Sequence, residues 1–311
     1  MKVLLISLDN IGDVVFTSLL SKEIKEKHPN SKVDFLCKSY TETVVTMIPS
    51  IDSIYKVKPY WARNKNDKGS FIDFVKMFMA LRKNDYDVVI NTSKSWRPSF
   101  FSRLIGINKT IGLKAKKNNW FLTDVVENYS SDVPVMTSIA NFLTPLSIDV
   151  MSPRYQLVCN NSYTFNGKYI ILHPFAGAVE RCAKMDVWLS VADELRHKFK
   201  VIWFGSSREL NTLRLEYADR LESDEFSDVL SNNDFQSAIE LLPNASLFIG
   251  HDSGPLHLAS SFNTPVLGLF LPGEPHRTFP QGGKVWDIIH HDTPSELKVT
   301  EVLRGAGKLL K

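Results

Sequence analysis

The chain has 311 residues, 43% hydrophobic and 23% charged, with a formal net charge of +3. That length suits two domains with ordinary cores, and no apolar run reaches the ~18 residues of a membrane-spanning helix. Cys37, Cys159 and Cys182 are too few and too scattered for a disulfide framework or a zinc pattern, and the opening Met1-Lys2-Val3 lacks a signal-peptide layout, so the expectation is a cytoplasmic chain with reduced thiols.

Short apolar strands alternate with helical stretches from end to end. Val3 to Leu8 reads as a buried strand, Gly12 follows in a loop, and a helix runs from about Val14 to Lys27. Strands are predicted at Lys32 to Leu36 and Ser53 to Val57, a helix at Phe71 to Lys83, and strands at Val88 to Asn91 and Thr110 to Gly112. The pattern pauses in a polar stretch from about Ile148 to Gly167, which reads as the linker between a domain of residues 1–155 and one of residues 156–311. It resumes with strand Tyr169 to Leu172, helix Val187 to Lys198, strand Lys200 to Phe204, and helices Arg208 to Leu221 and Phe235 to Leu241. Strands Leu247 to Ile249, Val266 to Phe270 and Ile288 to His290 complete it. The last helix is a candidate to pack back on the N-terminal domain. The alternation predicts an α/β fold, with parallel sheets doubly wound by helices and ligands beyond the carboxyl ends of the strands.

Two segments sit at such ends. His251-Asp252-Ser253-Gly254-Pro255-Leu256-His257 follows an apolar strand and opens a helix. Ser253 can cap that helix, Gly254 permits close backbone approach, and Pro255 suits the first turn. Free N–H groups and the helix dipole then form an anion site fit for a phosphate. His257, inside the helix, faces either the phosphates or the core. In the other segment Asp13 stands at a helix mouth. There it is either a dipole-favoured first-turn residue or an ionised carboxylate able to act as a general base.

These segments, with Thr264-Pro265-Val266-Leu267-Gly268-Leu269-Phe270 and Pro272-Gly273-Glu274-Pro275, resemble glycosyltransferase family 9, the ADP-heptose:lipopolysaccharide heptosyltransferases. The resemblance implies a GT-B fold, two Rossmann-like domains facing each other across a cleft. It implies an inverting transfer of a heptose or related sugar from a nucleotide diphosphate, ADP by preference, to a lipopolysaccharide-type acceptor. The N-terminal domain would hold the acceptor and the C-terminal domain the donor. In the Gly12-Asp13 pair, Asp13 takes the role of base. Asp252 lies near the donor sugar, and Lys184, or Arg181 in its place, meets the diphosphate. Glu209, in Gly205-Ser206-Ser207-Arg208-Glu209, accepts ribose hydroxyls or is a plain first-turn glutamate. The chain departs from the family where Met185-Asp186-Val187-Trp188 replaces a Trp-Pro pair and Ala176-Gly177 replaces hydroxyl residues. No cofactor or metal is implied if Lys184 and the Ser253 helix carry the diphosphate charge.

Charge is unevenly placed. Residues 1–150 hold 21 Lys and Arg against 15 Asp and Glu, and the remainder 16 against 19. One basic cluster comprises Lys56, Lys58, Arg63, Lys65 and Lys68, the other Lys109, Lys114, Lys116 and Lys117, with Tyr60, Trp61, Trp120 and Phe121 among them. Lys114, Lys116 and Lys117 read as an acceptor-side surface for an anionic glycolipid at the inner membrane face, against the alternative of solvated loops. No recognition motif for nucleic acid accompanies the charge. Asp85-Tyr86-Asp87 has the form of a metal motif but opens a strand, and His290-His291 lacks zinc-ligand spacing. A serine hydrolase would need Gly-x-Ser-x-Gly where Gly250-His251-Asp252-Ser253-Gly254 stands. The remaining rivals are an epimerase or hydrolase of the same fold, which needs no acceptor, and a nucleotide-sugar-binding protein without catalysis.

Overall fold

Runs such as Val3-Leu4-Leu5-Ile6 and Leu247-Phe248-Ile249 are apolar at every position, so each strand must be covered on both faces, the situation of parallel sheets clothed by helices. A computed structural model describes residues 1–62, 67–93, 95–115, 117–127, 132–155, 157–160, 167–221 and 235–311. The chain divides into two units, Met1–Val158 and Cys159–Lys311. Residues just past 155 stay with the first unit because they are tied there: the Val158 N–H donates to the Met47 carbonyl at 2.8 Å, and the Tyr155 ring packs on Phe16.

The first unit holds β1 (Lys2–Ser7), α1 (Ile11–Lys27), β2 (Lys32–Lys38), β3 (Ser53–Val57), α2 (Phe71–Leu81), β4 (Val88–Asn91), α3 (Trp96–Leu104), β5 (Lys109–Leu113), β6 (Asp124–Val126) and α4 (Val135–Ala140). Its strands lie in the order β3-β2-β1-β4-β5-β6, every pair parallel. The order reverses between β1 and β4, so a crevice opens beyond their carboxyl ends. The second unit holds β7 (Tyr169–His173), α5 (Met185–Leu195), β8 (Lys200–Trp203), α6 (Ser207–Glu216), α7 (Phe235–Glu240), β9 (Leu247–His251), α8 (Gly254–Ser261), β10 (Val266–Phe270), β11 (Trp286–His290) and α9 (Val299–Leu309). Its order is β11-β10-β9-β7-β8, again parallel throughout, with the reversal between β7 and β9. The last helix, α9, packs against β10, β11 and α5 of this unit, with Val302, Gly305 and Ala306 buried.

One local expectation is corrected. Gly12 is not in a loop: α1 begins at Ile11, so Gly12 and Asp13 form its first turn. Asn10 is the reason. It adopts the extended conformation of an N-cap, and Asp13, three residues on, accepts its backbone N–H at 3.0 Å.

Candidate functional site

In the first unit the crevice between β1 and β4 is lined by the loops that follow them. The Leu8 N–H donates to Ser93 Oγ at 3.0 Å, and Thr17 and Thr92 hydroxyls lie 3.3 Å apart, which holds the two loops and α1 together. Asp13 is exposed on the first turn of α1, at the positive end of that helix dipole. The Tyr40 hydroxyl donates to Asn10 Oδ1 at 2.8 Å and so braces the N-cap. Burial, then the negative field of Asp67, Asp13 and Asp9, push the Tyr40 phenol up, which keeps it a neutral donor. Beside Tyr40 a cavity of about 280 Å³ lies beyond β2 and β3, with Lys38, Lys58 and Asp67 in its wall.

The acceptor-side lysines prove less free than the charge count suggests. Lys114 Nζ donates to both carboxylate oxygens of Glu127, at 2.9 and 3.0 Å, and Lys56 pairs with Glu42 at 2.7 Å. Lys109 donates to the Pro145 carbonyl at 2.6 Å. Lys117 is exposed, while Lys116, Arg63 and Lys65 lie outside the described residues. Lys114 and Glu127 follow neighbouring strands, a cross-strand pairing that a linear tally of charge does not register.

In the second unit the reversal between β7 and β9 brings the Arg181–Lys184 stretch beside the His251–Ser253 loop. Two contacts stitch their loops. Arg181 donates to Asp252 Oδ2 at 2.9 Å, and the Ala183 N–H donates to His251 Nε2 at 3.2 Å. The second bond requires a neutral imidazole. Burial foremost, helped by the field of His173, lowers the His251 pKa to about 3. His173, fully enclosed at the end of β7, is likewise lowered by burial, and its Nδ1–H donates to the Phe204 carbonyl at 2.8 Å.

Asp252 is held as an anion. Burial alone would raise its pKa, but the hydrogen bond and charge of His257 and the charge of Arg181 outweigh that and lower it. His257 Nε2 lies 3.3 Å from Asp252 Oδ1, and the Thr278 hydroxyl donates to Oδ2 at 3.3 Å. His257 is therefore buried against the loop carboxylate. Ser253 stands at the N-cap position of α8, but its hydroxyl donates back to the His251 carbonyl at 3.0 Å and makes no side-chain cap. The expected cap is thus corrected: in the first turn of α8 Pro255 has no N–H and the Leu256 N–H donates to the Ser253 carbonyl at 3.1 Å, and a Ser253 hydroxyl so engaged is not arranged as a hydrolase nucleophile. The start of α5 lies at the same end of the sheet, with exposed Lys184 at its N-cap position. Two helix starts and two cations thus surround the ends of β7 and β9, which suits a diphosphate.

A cavity of about 390 Å³ adjoins this point, lined by Phe175, Met185, Ser206, Arg208, Glu209 and Tyr217 among others. Gly205 lets the Phe175 ring pack against this turn: a Cβ there would come within 2.7 Å of it. Glu209 is tied down, its Oε2 accepting the Ser206 N–H at 2.8 Å and the Ser206 hydroxyl at 2.6 Å. It faces the cavity with one oxygen already committed to a capping box. The bracing by Tyr40 and the neutral acceptor role of His251 escaped sequence reasoning; the only trace was His251 beside the Asp252-Ser253 motif.

Residues 74–302 match the family model for glycosyltransferase family 9 (heptosyltransferase). The chain belongs to glycosyltransferase family 9. It is 24% identical over 277 residues to lipopolysaccharide heptosyltransferase 3 of Escherichia coli, covering 83% of this chain and 80% of that protein. In fold it is similar to the family 9 glycosyl transferase of Veillonella parvula, with TM-score 0.85, 17% identity, and 99% and 97% of the two chains covered. It is also similar to the E. coli ADP-heptose lps heptosyltransferase II, with TM-score 0.80, 17% identity, and 100% and 98% covered. This family 9 protein has the GT-B class of fold and is a glycosyltransferase.

The motifs set aside in the sequence have structural work in this family 9 chain. Asp85-Tyr86-Asp87 precedes β4, at the amino end of the sheet and away from the crevice. The Tyr86 hydroxyl donates to Asp34 at 2.6 Å, and Asp87 accepts the Lys2 N–H at 2.7 Å. His291 lies 3.1 Å from Glu301 and so ties α9 down. Among the described residues no three His, Cys, Asp or Glu side chains form a metal-holding group.

Proposed function

We propose that this glycosyltransferase moves a heptose from ADP-heptose to a lipopolysaccharide-type glycan acceptor with inversion, Asp13 acting as general base. The acceptor hydroxyl oxygen attacks the anomeric carbon as the bond from that carbon to the diphosphate oxygen breaks. The hydroxyl proton passes to the Asp13 carboxylate, and the electron pair leaves on the diphosphate as ADP. One displacement of this kind inverts the anomeric centre.

The observation that carries this reading is the second unit's reversal point, where the starts of α5 and α8 accompany Lys184 and Arg181. Negative charge grows on the diphosphate in the transition state, and fixed N–H dipoles and cations stabilise it. Arg181 is partly neutralised by Asp252 and positions that loop, so Lys184 is the cation assigned to the diphosphate. No metal is needed on this reading. Asp252, held anionic, faces the donor sugar. The cavity between Phe175 and Tyr217 takes the nucleoside, with Glu209 available to its ribose. ADP is supported by the name of the E. coli relative of similar fold, heptose transfer by the family itself.

The first unit takes the acceptor. The family match begins at residue 74, so the role of Asp13 rests on its place beyond β1 and on the Gly12-Asp13 pair. An anionic glycolipid acceptor puts the enzyme at the cytoplasmic face of the inner membrane, with no part for nucleic acid. Calorimetric titration with ADP-heptose, UDP-sugars and GDP-sugars side by side tests the donor. Preference for ADP-heptose is expected; preference for another nucleotide, or no binding, overturns the assignment.

A further inference from the structure

We propose that the outward face of α2 is a docking surface for an anionic lipid bilayer. The helix buries Phe74, Phe78 and Leu81, spaced as one stripe, in a cluster with Tyr86 and Phe101. A surface helix built this way ordinarily turns polar residues outward. This one turns large apolar side chains outward as well: Ile72 is 63% exposed, Phe71 54% and Met79 50%.

At about 100° per residue, Phe71, Val75, Met79 and Ile72 fall in one sector of the helix, roughly 100° wide, outside the buried stripe. Arg82 falls within the same sector. Lys83, in the turn that continues the helix, and Lys76 border it, and Asp73 lies on the far side of Lys76. Lys76, Arg82 and Lys83 are all exposed, and none forms an ion pair with a described residue. Single exposed apolar side chains such as Leu215 on α6 need no explanation, but a contiguous set does.

Charge complementarity selects the occupant. An apolar sector edged by lysine and arginine is the pattern of a helix lying in a membrane interface, its apolar side chains among acyl chains and its cations at anionic headgroups. The aromatic neighbours suit the same depth: Phe71 packs edge-on against Tyr60, which packs on Trp61. A second copy of this chain fits poorly, because a two-fold contact through this face would set Lys76, Arg82 and Lys83 against the same three cations. The inference rests on the proposed function only in naming a lipid-linked acceptor as the reason to dock; the surface itself is read from α2.

Co-sedimentation with vesicles of phosphatidylglycerol and phosphatidylethanolamine, beside vesicles of phosphatidylcholine alone, tests it. The protein should pellet with the anionic vesicles and much less with the neutral ones. Ile72→Ser with Met79→Ser should lower the partition by about tenfold or more, and Lys76→Gln with Lys83→Gln by a similar factor. All four side chains are exposed, so the thermal midpoint should stay put. Absence of pelleting with anionic vesicles, or both variants pelleting like the parent, overturns the proposal. So does self-association in sedimentation equilibrium that Ile72→Ser with Met79→Ser abolishes while vesicle binding persists. The assay needs no donor and no turnover, so failure of the ADP-heptose titration leaves it untouched, and its failure leaves the titration untouched.

Discussion

Asp13 serves structure and is assigned to chemistry at once, and the two can be separated by choice of substitution. Its carboxylate accepts the Asn10 N–H. Asparagine keeps an acceptor there and alanine does not. Asp13→Ala should therefore lower stability by about 1 kcal/mol, a typical capping loss, whereas Asp13→Asn should melt close to the parent. Equal melting of both variants would mean that the capping bond contributes nothing. The cations of the second unit separate in a similar way. Lys184→Ala removes an exposed charge that no described residue pairs with, so it should weaken ADP binding roughly tenfold or more with the thermal midpoint unchanged. Arg181→Ala strips a partner from the largely buried Asp252 and should lower the midpoint itself. Unchanged ADP affinity in Lys184→Ala would move the diphosphate contact to Arg181.

At the level of elements, the loops after β7 and β9 hold each other through groups whose protonation matters. His251 accepts the Ala183 N–H only when neutral, and its pKa lies near 3 in the fold against an ordinary 6.5. The unfolded chain therefore takes up this proton first. The stability contributed is full above about 6.5 and is lost as pH falls from there towards 3. His173 acts in the same direction, and Asp252, lowered by its partners, adds a loss only below the ordinary carboxylate range. Thermal melts should fall between about pH 7 and pH 5, and His251→Gln, which still offers an acceptor and does not titrate, should flatten that slope. An identical slope in the variant would remove His251 as a cause.

The same elements mark what the sequence makes legible. Interior strands such as β1, β7 and β9 announce themselves because burial on both faces demands unbroken apolar runs. β6, three residues long at a sheet edge, has no such run, and α3 carries Pro98 in its first turn, so neither stood out. The motif in the sequence draws attention to Asp252, Ser253 and Lys184, but not to the contacts around them. Ser253 turning back to the His251 carbonyl and Lys114 pairing with Glu127 depend on geometry that residue order does not encode, whereas the box that Glu209 closes on Ser206 is a Ser-x-x-Glu spacing the sequence carries.

Taken whole, the molecule sets Asp13 and the Asp252-Ser253 loop at the reversal points of two parallel sheets, one in each unit. With helix starts and lysine assigned to the diphosphate, transfer should run at full rate in excess chelator. A requirement for Mg²⁺ or Mn²⁺ would show that the leaving charge is met by a metal instead. The most direct measurement pairs donor calorimetry with ADP release in the presence of acceptor for Asp13→Asn. A general base at this position predicts parental affinity for ADP-heptose with transfer lowered on the order of a hundred- to ten-thousandfold. Transfer by the folded variant at the parental rate would contradict it.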